Sequence, residues 1–159
     1  MTNKPQIIVS SVYGPIESWR LGKSLGIDLI MDPSTCSFNC TYCQLGFIQK
    51  ITTERKIYVE TKRVIEDFKA SKWQEADVIT FSGSGEPTLA INLGKAIKEI
   101  KKITNKPVSI LTNATMLNLE EVRKDVMKAD IVSVKIDAPD DATLKAINRP
   151  ANGITIKSI

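Results

Sequence analysis

Two rhythms of apolar residues run along the chain. Short β-rich runs at Gly26–Met31, Val78–Ser82, Val108–Leu111 and Ile131–Ile136 predict strands, and the stretches between them carry apolar residues at helical spacing. Thr61 is placed to cap a helix with Val64, Ile65 and Phe68 on one face. Asn92 is placed to cap another, with Leu93, Ala96, Ile97, Ile100 and Ile103 inward. Asn118 followed by Glu121 resembles a capping box ahead of Val122 and Val126, and Asp140 opens a last short helix that Pro150 ends. Strand, helix, strand, helix predicts parallel βαβ units and an α/β fold.

Length limits how far that pattern extends. A closed eight-unit barrel takes about 250 residues. The 159 residues here hold four βα units, with one long first connection from Met31 to Val78. The expectation is one domain: a lead-in over 1–25, then an incomplete parallel (β/α) barrel over 26–159. The last residues, GITIKSI, make no fifth strand. Four parallel strands leave Ile131–Ile136 as an open edge, so either the chain is a truncation or something covers that edge. A second copy pairing edge to edge would do so, giving a homo-oligomer. The alternative cover is the segment before Gly14, whose Gln6–Val9 run could itself be a strand.

Composition removes whole mechanisms. The chain has no histidine, which excludes a Ser-His-Asp triad, a Cys-His pair, His-ligated zinc or haem and an imidazole base. Its net charge of +4 is carried mostly by lysine, as at Lys95, Lys98, Lys101 and Lys102. Those positions read first as a solvated helix face and only second as a weak nucleic-acid footprint. With no signal-peptide core and no apolar run near the roughly 20 residues of a membrane span, the chain reads as cytoplasmic, with reduced cysteines and no membrane partner.

All three cysteines fall in one segment of the long first connection, Cys36-Ser-Phe-Asn-Cys40-Thr-Tyr-Cys43. Three small buried hydrophobes would not cluster this way with no cysteine elsewhere. Structural zinc wants four ligands, and a fourth would have to come from Asp32 or water. An iron–sulfur cluster suits soft thiolates better, and three of them on a four-iron cluster leave one iron open.

This Cys-x₃-Cys-x-aromatic-Cys segment, with Tyr42 as the aromatic, resembles the signature of the radical S-adenosylmethionine (radical SAM) superfamily. The resemblance implies a partial (β/α)₆ barrel with the cysteine loop after the first strand. It implies that Cys36, Cys40 and Cys43 hold a 4Fe–4S cluster whose open iron is chelated by S-adenosylmethionine. One electron then cleaves the sulfonium to methionine and a 5′-deoxyadenosyl radical, which abstracts hydrogen from a substrate.

Further positions extend the likeness. Phe81-Ser-Gly-Ser-Gly-Glu-Pro-Thr-Leu89 after the second strand looks like the family's Gly-Gly-Glu element. Gly83 and Gly85 there let backbone approach a ligand, and Glu86 is expected at the cofactor's ammonium. Asn113, after the third strand, is either a cofactor contact or a turn residue. In the fourth strand, alternation sets Val132, Val134 and Ile136 against the helices and turns Ser133, Lys135 and Asp137 to the interior. Lys135 and Asp137 are then a structural pair or contacts to cofactor or substrate. The implied cofactor site is Tyr42, Gly83, Gly85, Glu86, Asn113, Lys135 and Asp137.

Gly14–Asp28 and Asn148-Arg149-Pro150 are similar to one branch, the Fe–S oxidoreductases related to wyosine-forming tRNA enzymes. That likeness implies a flavodoxin- or ferredoxin-type electron donor and a tRNA or protein substrate. The alternative functions are an iron–sulfur module without a substrate pocket and an activating partner of a glycyl-radical protein.

Overall fold

In the computed structural model, which describes residues 9–159, every side chain of the run Val78–Phe81 is buried. Such a run has strands on both edges and layers on both faces. The described residues form β1 (Val12–Ser18), β2 (Gly22–Ile27), β3 (Thr35–Cys36), β4 (Lys50–Ile51), α1 (Thr61–Ala70), β5 (Val78–Phe81), α2 (Leu93–Lys101), β6 (Val108–Thr112), α3 (Glu120–Val126), β7 (Ile131–Val134) and α4 (Asp141–Ile147). The main sheet runs β1-β2-β5-β6-β7, and β3 and β4 make a separate two-stranded ladder. β2, β5, β6 and β7 are mutually parallel, whereas β1 returns antiparallel on β2. The fold is therefore mixed α/β with a parallel-rich open sheet, and no barrel closes among the described residues.

Two expectations at the N-terminal end are corrected. The first parallel strand is Gly22–Ile27, not Gly26–Met31. It stops because the Asp28 carboxylate accepts the N–H groups of Ile30 and Met31, each at 2.9 Å, and turns the chain off the sheet. The lead-in also contains a strand, β1, which Gly14 and Pro15 disguise. Its register on β2 shifts between Tyr13 and Ile16, so the two interrupting residues sit in a bulge. Because β1 pairs with β2, the lead-in covers the edge opposite β7. Of the Gln6–Val9 run, residues 6–8 lie outside the described residues, and Val9 is exposed and outside any strand.

The core lies between the sheet and α1 and α2. Phe68, Phe81, Leu25, Ile27, Ile79, Ile97, Ile100 and Ile110 are all at 0% exposure, each such burial stabilising by about 1.5–3 kcal/mol. The helical faces are as expected, but their caps differ. α1 begins at Thr61 with Glu60 as its N-cap, and the Thr61 hydroxyl instead accepts from Asn92 Nδ2 at 3.0 Å. Asn92 does cap α2 by position, yet its side chain also donates to the Val59 carbonyl at 2.9 Å and so ties α1 to α2. Leu119, not Asn118, is the N-cap of α3. Asp140 caps α4 as expected, accepting from Thr143 N–H at 2.8 Å. None of the described helices is long and apolar enough to cross a membrane.

β7 is an edge strand, and its apolar face is not packed on helices. Val132 is 38% and Val134 47% exposed, because α4 turns away to put Leu144 against Phe38 and Ala138 beneath the cysteine segment. The strand ends at Val134, so Ile136, expected as its last residue, lies beyond it. A Val134→Lys substitution should therefore change unfolding free energy by no more than about 0.5 kcal/mol. Ile110→Ala, in the adjacent buried strand, should cost about 2–5 kcal/mol. Urea denaturation of both variants checks this; a multi-kilocalorie loss for Val134→Lys would mean that the outer face of β7 is covered.

Candidate functional site

The parallel strands deliver four loops to one end of the sheet, the end where such sheets take ligands. Leaving β2, the chain carries Asp28 and then the cysteine loop. Leaving β5, β6 and β7, it carries Ser82–Glu86, residues 112–115 and residues 135–137 in turn.

The cysteine loop is pinned at its base and along its length. β3 pairs with β4, bringing Thr35 beside Lys50 and Cys36 beside Ile51. Between them the chain has no regular structure, so its backbone polar groups need other partners. Two are internal: Cys43 N–H to the Cys40 carbonyl at 3.1 Å, and Gly46 N–H to the Cys43 carbonyl at 2.9 Å. Others come from the end of α4. Asn39 N–H donates to the Asn148 carbonyl and Thr41 N–H to the Ile147 carbonyl, both at 2.9 Å, and Ala151 N–H donates to the Ser37 carbonyl at 2.8 Å. Phe38 seats the loop on Ala138 and Leu144, with Ile154, Ile156 and Ile159 alongside. The C-terminal residues thus make a hydrophobic seat and no strand, as expected.

All three cysteines are free, and all line one cavity of about 600 Å³. Gly83, Gly85, Tyr42 and Lys135 share its wall. Among the described residues no three Cys, Asp or Glu side chains converge on a single metal ion. Three thiols with no fourth cysteine and no histidine suit an iron–sulfur cluster with one open iron better than a structural zinc, which takes four ligands. Burial pushes the Cys36 thiol up to about 12, helped by the negative charge of Glu86. Amide donors face two of the sulfurs: Asn113 Nδ2 is 3.5 Å from Cys36 Sγ, and Asn148 Nδ2 is 3.3 Å from Cys40 Sγ.

Glu86 is 2% exposed. Its Oε1 accepts from Thr88 N–H at 3.1 Å, Thr88 Oγ1 at 2.6 Å and Thr112 Oγ1 at 2.7 Å, and its Oε2 accepts from Asn113 N–H at 2.8 Å. Burial raises its pKa, and these donors only partly oppose that. The residue before it approaches β3 closely: Glu86 N–H reaches the Thr35 carbonyl at 3.1 Å, and a Cβ on Gly85 would fall on that carbonyl. Gly83 adopts φ +133° against the Asp28 carboxyl group, a conformation that side chains disfavour.

Asn113 serves as a turn residue, its Oδ1 accepting from Thr115 N–H at 3.1 Å and Oγ1 at 2.8 Å. It also lines a second cavity of about 490 Å³ with Glu86 and Lys135. Lys135 and Asp137 do pair, at 3.5 Å. The Lys135 ammonium lies 3.8 Å from the Tyr42 ring centroid, and the Tyr42 hydroxyl donates to Asp137. Burial opposes ionisation of Asp137, but hydrogen bonds from Tyr42 and Asn148 and the charge of Lys135 hold it below the usual carboxylate range. Burial and that same carboxylate push the Tyr42 phenol up.

Three residues were missed as site members. Asp28 is buried, and its Oδ2 accepts from Ser84 N–H at 2.9 Å, joining the β2 and β5 loops. An acid just past an apolar strand is the signal that marks it. Tyr13, whose hydroxyl is 2.8 Å from Ser82 Oγ, reaches the cavity from β1. Asn148, visible in sequence only as part of Asn-Arg-Pro, lies against Cys40.

Residues 32–156 match the family model described as the Radical SAM superfamily. A UPF0026 protein of Synechocystis sp. is 50% identical over 149 residues, covering 94% of this chain and 56% of that protein. A UPF0026 protein of Methanocaldococcus jannaschii is 37% identical over 151 residues, covering 92% and 46%. A Thermoplasma volcanium protein named "Probable GTP 3′,8-cyclase" is 28% identical over 142 residues, covering 89% and 39%. The chain spans about half the length of the curated relatives it matches.

The contact between Gly85 and Thr35 sets the position of Cys36. Gly85→Ala should displace β3, cost about 1–3 kcal/mol as overpacking does, and speed the labelling of Cys36 by a thiol reagent in the folded protein. Labelling and unfolding as in the parent chain would show that β3 does not depend on this approach.

Proposed function

The chain belongs to the radical SAM superfamily, and we propose that it is an enzyme in which Cys36, Cys40 and Cys43 hold a 4Fe–4S cluster beside bound S-adenosylmethionine. The observation that supports this reading is the single cavity lined by all three thiols at the C-terminal ends of the parallel strands. When bound, the cluster supplies the electron that cleaves S-adenosylmethionine to methionine and a 5′-deoxyadenosyl radical for hydrogen abstraction. That electron enters from outside the chain, and a flavodoxin- or ferredoxin-type donor is the partner we assign.

The chain's own residues bind and orient. Gly83 and Gly85 line the cavity with backbone held in place by close approach to the Asp28 carboxyl group and the Thr35 carbonyl. Glu86 Oε1 already accepts three hydrogen bonds, whereas Oε2 accepts one and retains capacity for another donor. We assign that free position to the cofactor's ammonium. Lys135 lines both cavities with half its side chain exposed, and its ammonium is available to an anionic group of the cofactor. The relative named as a GTP 3′,8-cyclase supports an enzyme over an iron–sulfur module without a substrate. A tRNA base or a protein partner is the substrate we favour, in keeping with the branch that Gly14–Asp28 resembles.

Anaerobic reconstitution should give about four irons per chain, and Cys36→Ala, Cys40→Ala or Cys43→Ala should each abolish it. The reduced, loaded protein should release 5′-deoxyadenosine from S-adenosylmethionine. Stoichiometric zinc with no uptake of iron would sink the reading. Glu86→Gln should keep the iron but weaken S-adenosylmethionine binding about tenfold to more than a hundredfold, the range for a charge-assisted hydrogen bond. Unchanged affinity in an anaerobic titration would remove Glu86 from the ammonium site.

A further inference from the structure

Asn148 closes α4 at its C-terminal end and is 1% exposed. Its carbonyl accepts Asn39 N–H at 2.9 Å, which ties it to the cysteine loop through the backbone. Its Nδ2 faces three acceptors: Cys40 Sγ at 3.3 Å, the Tyr42 hydroxyl at 2.8 Å and Asp137 Oδ2 at 2.9 Å. Its Oδ1, by contrast, is buried with no partner. An orphaned buried carbonyl is costly, and closing the helix does not call for an amide here. What the amide provides is an N–H aimed at a sulfur and at the carboxylate beside it. Among the described residues, side-chain amides face Cys36 and Cys40 but not Cys43.

We propose that Asn148 is a positioning residue that sets the reduction potential of the cluster through Cys40. The inference rests on the reading that the three cysteines hold a 4Fe–4S cluster. Reduction adds one electron and no proton or bond, and part of the added negative charge falls on the cysteinyl sulfurs. An N–H donor stabilises that reduced state more than the oxidised one and raises the potential. Asp137 works in the opposite direction, as a fixed negative charge near the cluster. Asn148 and Lys135 both engage Asp137 Oδ2 and compensate that charge, so losing Asn148 lowers the potential by two routes.

The test is a potentiometric titration, followed by electron paramagnetic resonance, of the reconstituted parent, Asn148→Ala and Asn148→Leu. Leucine has nearly the shape of asparagine and keeps the packing if alanine does not. Both variants should load iron as the parent does. Both should be reduced with an equilibrium constant about tenfold lower, a shift of about 59 mV to more negative potential for one electron. A loaded Asn148→Leu or Asn148→Ala with the parent's potential overturns the inference and leaves the cluster assignment standing. A parent chain that takes up no iron overturns both.

Discussion

Three thiols can share one inorganic centre only if the chain carrying them is held still, and this chain carries them on a loop without regular structure. The hold is a set of backbone hydrogen bonds to residues 147–151, with Phe38 seated on Leu144 and Ala138 below. Neither part works alone. The hydrogen bonds orient the loop but bury little apolar surface, whereas the seat buries surface but fixes no direction. The β3–β4 ladder adds a third constraint at the base, where Cys36 is itself a ladder residue. Every other site feature is arranged around that fixed loop.

Two buried carboxylates do the arranging. Asp28 binds N–H groups of its own turn and of Ser84, and Glu86 binds those of Thr88 and Asn113. Together they fasten the loops after β2, β5 and β6 to one another. The arrangement has an electrostatic consequence, because burial and the Glu86 charge both keep the Cys36 thiol protonated. A soft cation reverses that balance by binding the thiolate and displacing its proton. Cys36 is thus a thiol until a metal takes the place of its proton.

Much of this was legible in the chain itself. The cysteine spacing, the apolar runs of β5 and β6 and the Asp140 cap are local patterns, and local patterns survive folding. β1 was hidden because a glycine and a proline sit in its bulge. Alternation in Ile131–Ile136 divided the strand into two faces, but the outer one is bare because α4 packs under the cysteine loop. Asn148 was hidden for a related reason: its meaning lies in contact with Cys40, which is 108 positions away.

That separation also has a history within each molecule. During synthesis the cysteine loop emerges first, and the segment that clasps it follows 108 residues later. At about 5–20 residues per second, the three thiols spend roughly 5–20 seconds on a chain that has no clasp. Over that interval they are unordered nucleophiles, open to oxidation and to stray metals. A cluster delivered too early meets a loop that cannot yet hold it, so assembly must await residues 147–151.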